Sequence, residues 1–214
     1  MLTVQGHRTI RERGSVRVIA GAKKGIDLRC GRGPFFRPTA QVVRGSLFDT
    51  LGADVEGAAV LDLFAGSGAV GIEALSRGAA RAVFVEQDRT ILKALRANLK
   101  RCGFGPDHAD VRIADALRYV ERAARTGLFF DIIVADPPYE GSAAQRVVDA
   151  VSRAAPPICR LLVLEHGHPV FTPEGGSVEL LKTRRFGQTT VSYFRCGKEV
   201  TDGEGKGGAL SGDV

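Results

Sequence analysis

Asp136-Pro137-Pro138-Tyr139 directly follows the apolar stretch Ile132–Ala135 of the expected strand Phe130–Ala135, so a carboxylate, two prolines and an aromatic ring stand at a strand end. In an open α/β sheet the carboxyl ends of the strands are where ligands bind. The chemistry that needs this set is group transfer to an exocyclic amine of a nucleic-acid base. Such a nitrogen is a poor nucleophile because its lone pair is delocalised into the ring. Two acceptors on its N–H bonds, the Asp136 carboxylate and the Pro137 carbonyl, can turn the lone pair toward an electrophilic methyl group. The prolines stiffen the loop and remove competing backbone donors. Tyr139 offers a face for an unstacked base. No strong base is required, since the proton can leave after transfer. A Pro-Pro turn ending a strand carries the same letters, but here it follows a cofactor loop with its acids.

That loop is Gly66-Ser67-Gly68-Ala69-Val70-Gly71, a GxGxxG between a strand and a helix, with Glu86 at the end of the next strand. Glycines let the backbone approach a ligand at a helix N-terminus, and a carboxylate on strand two accepts from ribose hydroxyls. A nicotinamide dehydrogenase has the same fingerprint, so the loop alone implies an adenosine-type cofactor without choosing one. Two acids separate the readings. Asp62, within LDLFAGSG, suits a cofactor bearing a sulfonium and an ammonium better than one bearing a pyrophosphate. Asp115 follows the third strand, placed to accept from an adenine amino group or to cap the next helix.

The elements that position these groups alternate strand and helix. Strands are expected at Ala59–Phe64, Ala82–Glu86, Val111–Ala114, Phe130–Ala135 and Leu161–Glu165. Helices are expected at Val70–Ser76, around Ile91, Leu95, Leu99 and Cys102, at Leu117–Ala124 and near Ala143–Ala154. This pattern predicts an α/β fold with a mostly parallel seven-stranded sheet, and Ser177–Thr183 with Thr189–Arg195 as an antiparallel C-terminal edge hairpin. Upstream, Val16–Ala20 and Ile26–Arg29 read as a small N-terminal β-hairpin extension around Ala-Lys-Lys-Gly. Thr39 reads as the N-cap of a helix through Leu51. The expected organisation is a mobile basic N-terminus (1–15), the hairpin and helix (16–55), the cofactor domain (56–196) and a disordered Gly-rich tail (197–214).

Composition narrows the function classes. The chain has 214 residues and a net charge of +6, but residues 1–50 alone carry ten Lys/Arg against three acids. A basic arm on a near-neutral body fits a phosphate-bearing partner, with a merely solvated arm as the alternative. No apolar run approaches a membrane span and no secretory segment opens the chain, so no membrane and a cytoplasmic location are expected. Cys30, Cys102, Cys159 and Cys196 lack metal or disulfide spacing and read as reduced thiols. His166 and His168 are too few for a metal site and read as loop residues, so no metal is expected. Glu165 is left between a structural role and the base pocket, and Arg184 and Arg185 between an RNA rim and a solvated face.

With these residues assembled, the chain resembles the bacterial small-subunit ribosomal RNA (guanine-N2) methyltransferases from about Val16 to Arg195. The resemblance rests on VRVIAGAKKG, FRPT, LDLFAGSGAVGIEALSRGA, VFVEQD, DPPY and RRFGQTTVSYF. DPPY is shared by many amino-methyltransferases and carries the reaction class; RPT with Arg44 and the wording of the glycine loop carry the family. The resemblance implies a Rossmann-like methyltransferase using S-adenosylmethionine, with 16S rRNA in a small subunit or its precursor as partner; a monomer is expected, although no residue pattern fixes the oligomeric state. Cofactor contacts are expected from Asp62, Phe64, Ala65, Gly66, Ser67, Gly68, Glu86, Gln87, Ala114, Asp115, Ala116 and Asp136. Asp136, Pro137, Pro138 and Tyr139 would hold the target base. Arg17, Lys23, Lys24, Arg37, Thr39 and Arg44 would meet RNA or close over the cofactor. One departure is visible: after RPT the family tends toward T-D-R-V-R-E, and here stand Ala40, Gln41, Val42, Val43, Arg44 and Gly45. Adenine-N6 methylation is the nearest rival. A nicotinamide oxidoreductase and a non-catalytic ribosome-assembly factor stand behind it, and a glutamine-N5 methyltransferase would usually carry Asn in place of Asp136.

Overall fold

Apolar runs at 59–63, 81–86, 130–135 and 159–166 form the middle of the sheet in the computed structural model, which describes residues 15–30, 38–139, 141–170, 172 and 176–197. In chain order the elements are β1 (Ser15–Arg17), β2 (Asp27–Arg29), α1 (Pro38–Leu51), β3 (Ala59–Leu63), α2 (Ala69–Ser76), β4 (Arg81–Glu86), α3 (Arg89–Cys102) and β5 (Ala109–Ile113). There follow α4 (Ala116–Thr126), β6 (Phe130–Ala135), α5 (Ala143–Ser152), β7 (Cys159–His166), β8 (Val178–Phe186) and β9 (Thr189–Cys196). The large sheet has seven strands in the order β5-β4-β3-β6-β7-β9-β8, and β1 pairs with β2 in a separate two-stranded hairpin. Strands β3 to β7 are parallel, while β9 runs antiparallel between β7 and β8. The mostly parallel sheet, the antiparallel edge hairpin and the N-terminal hairpin are thus all present.

Both faces of the sheet are covered, which is why the inner strands are mostly apolar on both sides rather than strictly alternating, with Asp62 and Asp131 as polar interruptions. Val60, Phe84, Ile132 and Val163 pack with Phe48 of α1, Ile72 of α2 and Leu92 and Leu95 of α3. Their neighbours Leu61, Val85, Ile133 and Leu162 pack on the opposite side with Val120 of α4 and Val147 and Val148 of α5. Each such side chain, fully buried, contributes about 1.5–3 kcal/mol of apolar transfer. Chain order reverses between β3 and β6, since β3 sends the chain out to β4 and β6 returns beside it. A crevice forms at such a switch point, above the carboxyl ends of the strands.

The hairpin is shorter in strand than its pattern predicts. Val18 N still donates across the hairpin to Ile26 O at 3.0 Å, but beyond it the amides find other acceptors: Ile19 N and Ala20 N donate to the Glu73 carboxylate at 2.8 and 3.0 Å, and Ala22 N to Ser76 O at 2.7 Å. The chain is thereby laid onto the end of α2. Helix α1 begins at Pro38, so Thr39 lies inside it and not at its N-cap. Proline is suited to the first helical position, where its missing N–H has no partner to lose. Two of the supposedly scattered thiols also meet: Cys159 Sγ lies 2.8 Å from Cys196 Sγ, and burial pushes the Cys159 pKa up. Of the expected mobile basic N-terminus (1–15) only Ser15 is described, and it lies in β1; residues 1–14, Arg37 and the tail from 198 lie outside the described residues.

Candidate active site

The glycine loop leaves β3 through Phe64, whose φ of 59° is left-handed although it is not glycine. Such strain persists only where surroundings hold it and is a common mark of functional loops. Gly68, with φ of 80°, sits at the N-cap of α2 and has no side chain to cap with. Asp62 does that work from β3: its Oδ2 accepts from Gly71 N at 2.9 Å. Gly71 must be glycine, since a Cβ there would come within 2.3 Å of the Phe84 ring. A carboxylate at a helix N-terminus is favoured by the helix dipole. Asp62 is nonetheless only 3% exposed, and burial, with a smaller push from the Glu86 charge, raises its pKa to about 7 against the opposing Gly71 bond.

Two further residues hold the loop. Glu86, at the end of β4, accepts from Gly66 N at 3.0 Å with one oxygen and from Asp88 N at 2.8 Å with the other. A carboxylate has about four lone-pair sites, so both oxygens keep capacity for ribose hydroxyls. Asn98, fully buried on α3, was not singled out from sequence. Its Nδ2 donates to Ser67 O and to Arg29 O, both at 2.9 Å, and its Oδ1 accepts from Arg29 N at 2.8 Å. One side chain therefore ties the hairpin to the glycine loop. The available signal was a polar residue inside the apolar stripe of Leu95, Leu99 and Cys102. Asp115 is the N-cap of α4, accepting from Arg118 N at 3.0 Å, between half-buried Ala114 and buried Ala116. Gln87 is exposed beside Glu86.

The other wall of the crevice is the strand end beside β3. Asp136 is exposed, Pro137 buried, Pro138 exposed and Tyr139 half-buried. The Tyr139 hydroxyl donates to Glu165 Oε1 at 2.6 Å and lies 2.7 Å from Thr189 Oγ1. Burial and the Glu165 bond both push the Tyr139 pKa up, so the ring stays a neutral phenol. A Cβ on Gly167 would stand 3.4 Å from the ring. Glu165, undecided from sequence, thus orients the tyrosine, and Thr189 and Gly167 join it unannounced. A cavity of about 290 Å³ opens beyond, bounded by Pro137, Tyr139, Gln145, His166 and Val170. His166 is bound at both ring nitrogens, to His168 O and to Ser192 Oγ, and burial lowers its pKa.

The basic set divides. Arg17 is exposed and paired with Asp27 at 3.1 Å; Lys24 is exposed; Lys23 is half-buried with its ammonium 5.6 Å from the centre of the Phe104 ring. Arg44 is not at a surface at all. It is 4% exposed, donates to Arg17 O at 2.6 Å and sits 3.7 Å from the buried Glu73 carboxylate. Its expected RNA contact gives way to a structural one, because the hairpin folds over it. Arg184 donates to Ser46 Oγ at 3.3 Å, joining β8 to α1, whereas Arg185 is exposed.

A seven-stranded sheet with an inserted antiparallel strand, a glycine loop after its first strand and DPPY at the adjoining strand end define a Rossmann-like methyltransferase. The family model described as conserved hypothetical protein 95 matches residues 16–195, and the chain belongs to this family, which is that of ribosomal RNA small subunit methyltransferase D. It is 31% identical to that protein of Haemophilus influenzae over 189 residues, covering 87% of this chain and 95% of the relative. YlbH of Bacillus subtilis is 35% identical over 182 residues, covering 84% of this chain and 98% of YlbH. Among solved structures, yhhF of Escherichia coli superposes with a TM-score of 0.74 at 29% identity, covering 87% of this chain and 100% of that one. SMU.776, crystallised with SAH, shares the fold at a TM-score of 0.58 and 18% identity, over 75% of this chain and 50% of that one.

Proposed function

We propose that this chain methylates the exocyclic N2 amine of a guanine in 16S rRNA, within a small ribosomal subunit or its precursor, using S-adenosylmethionine. The observation that carries the reading is the juxtaposition of the glycine loop on β3 with Asp136–Tyr139 on the neighbouring strand β6, at the switch point of the sheet. The guanine and the small subunit come from the family resemblance and from the relatives' names.

The residues fit the cofactor. The buried Asp62 carboxylate, held near neutrality by lack of solvent, favours a cationic ligand end and disfavours a pyrophosphate. Glu86 would take the ribose hydroxyls and Asp115 the adenine amino group, with Phe64 to Gly68, Gln87, Ala114 and Ala116 around them. When bound, S-adenosylmethionine supplies an electrophilic methyl group. The chain's own residues do the rest. The Asp136 carboxylate and the Pro137 carbonyl accept the two N–H bonds of the target amine and aim its lone pair. Tyr139, fixed through its hydroxyl, stacks on the extruded base and holds it at that angle. Once the nitrogen is methylated and cationic, Asp136 or water takes the surplus proton.

Asp62 makes the cofactor step sensitive to pH. Its folded pKa is raised, so the stability tied to its protonated form is complete below about pH 4 and is lost as pH rises through about 7. A cationic ligand binds the ionised form instead. Affinity for S-adenosylmethionine is therefore expected to rise with pH, by up to about tenfold per unit below pH 7, and then level off. Calorimetry in two buffers of different ionisation enthalpy should show up to one proton released near pH 6. Asp62→Asn should flatten the profile, and a wild-type affinity independent of pH between about 5.5 and 7.5 would remove the assignment.

The reaction is tested with tritiated S-adenosylmethionine and small ribosomal subunits or their precursors from cells lacking their own enzyme, followed by nucleoside analysis. Label in N2-methylguanosine is the expected result. Label in N6-methyladenosine would keep the geometry and overturn the base. No label despite cofactor binding would favour a non-catalytic assembly role.

A further inference from the structure

We infer that the outward face of α3 is a track for the RNA phosphate backbone, leading from the cofactor edge of the sheet to the N-terminal hairpin. The inference rests on the reading of RNA as substrate. Helix α3 holds five Lys/Arg and no Asp or Glu within Arg89–Cys102. Arg89, Lys93, Arg96 and Lys100 follow one another at spacings of four, three and four, which places them on a single helical face, and all four are exposed. The opposite face, with Leu92, Leu95 and Leu99, is buried on the sheet. Among the described residues none of the four is in an ion pair.

The stripe is about 16 Å long at the helical rise, enough to meet several consecutive phosphates of one strand. At its far end it meets the hairpin in a cleft of about 240 Å³ bounded by Arg29, Ala97, Asn98, Lys100 and Arg101. Asn98 clamps both the N–H and the C=O of Arg29, so that cation is presented from a fixed backbone. The hairpin's own acid, Asp27, is occupied by Arg17. On α4, across the sheet, exposed Arg118, Arg122 and Arg125 are interrupted by exposed Glu121, so the like-charged run is a property of α3 and not of every helix. Since Arg89 lies three residues after Glu86, a strand on this track ends at the cofactor edge with its backbone already held.

The test is a triple charge reversal, Lys93→Glu, Arg96→Glu and Lys100→Glu, with Arg122→Glu and Arg125→Glu on α4 as the control. Affinity for protein-free 16S rRNA is read across about 50 to 200 mM salt. The α3 variant is expected to bind at least tenfold more weakly at low salt, with the salt slope reduced by about 2 to 3. Its thermal midpoint and its affinity for S-adenosylmethionine should stay at wild-type values, and the α4 control should bind nearly as wild type. An unchanged affinity and slope would overturn the track, as would an equal loss in the α4 control. If the α3 variant loses affinity but the wild type labels no ribosomal RNA, the track stands and the proposed reaction falls. If the wild type labels RNA and the α3 variant binds normally, the reverse holds.

Discussion

Asp136→Ala is expected to lower the rate of methyl transfer about 10²- to 10³-fold while the affinity for S-adenosylmethionine moves by less than about threefold. The size follows from what is removed: a preorganised polar group whose interaction strengthens as charge develops on the amine. The small effect on the cofactor follows from position. Asp136 is exposed at the end of β6, whereas the loop on β3 is held by Asp62, Glu86 and Asn98, none of which the substitution touches. Pro137 is buried and Tyr139 is anchored to Glu165 and Thr189, so the remainder of the motif keeps its place. Asp136→Asn retains one acceptor oxygen at the same spot and should fall between the two. Single-turnover transfer alongside calorimetric cofactor binding separates the steps. A turnover within tenfold of wild type in the alanine variant would show that the carbonyl and the tyrosine suffice.

The parts of this site that the sequence announces are those written contiguously at strand ends. The glycine loop, Glu86, Asp115 and Asp136–Tyr139 each sit where a strand stops, and parallel strands bring their stops to one edge. What it does not announce depends on which elements pack together. Asn98 reads as one polar letter on a helix until β2 is known to lie against it. Thr189 reaches Tyr139 only because β9 inserts beside β7, with Glu165 opposite Val191; two consecutive β runs predict a hairpin but not which of them pairs inward. Arg44 illustrates the converse. Its charge and its place in a basic segment argue for a partner, yet the hairpin folds over it and buries it. Charge counted along a chain locates cations in sequence and not on a surface, which is also why the α3 stripe is masked by the near-neutral total of residues 51–214.

Glu73→Ala should be strongly destabilising, costing about 3–5 kcal/mol. In the sequence Glu73 is an acid midway along a short helix, where a solvated side chain is the ordinary expectation. In the structure it is 0% exposed and organises the whole attachment of the hairpin. It accepts from Ile19 N and Ala20 N, receives Arg77 Nε at 2.8 Å, and faces Arg44 at 3.7 Å. Alanine would leave two amides without acceptors and the Arg44 guanidinium buried without its counter-charge, and burial already pulls that guanidinium's pKa down. For a domain of this size the loss corresponds to a fall in Tm of about 6–20 °C. Part of it reflects the stranded arginine and not the worth of the pair, so Glu73→Ala combined with Arg44→Met should recover some of it. Hydrogen exchange at Ile19 and Ala20 distinguishes global from local loss. If those amides open while the main transition stays within about 2 °C of wild type, the hairpin is a separately opening unit, and the Glu73 cluster anchors it without supporting the sheet.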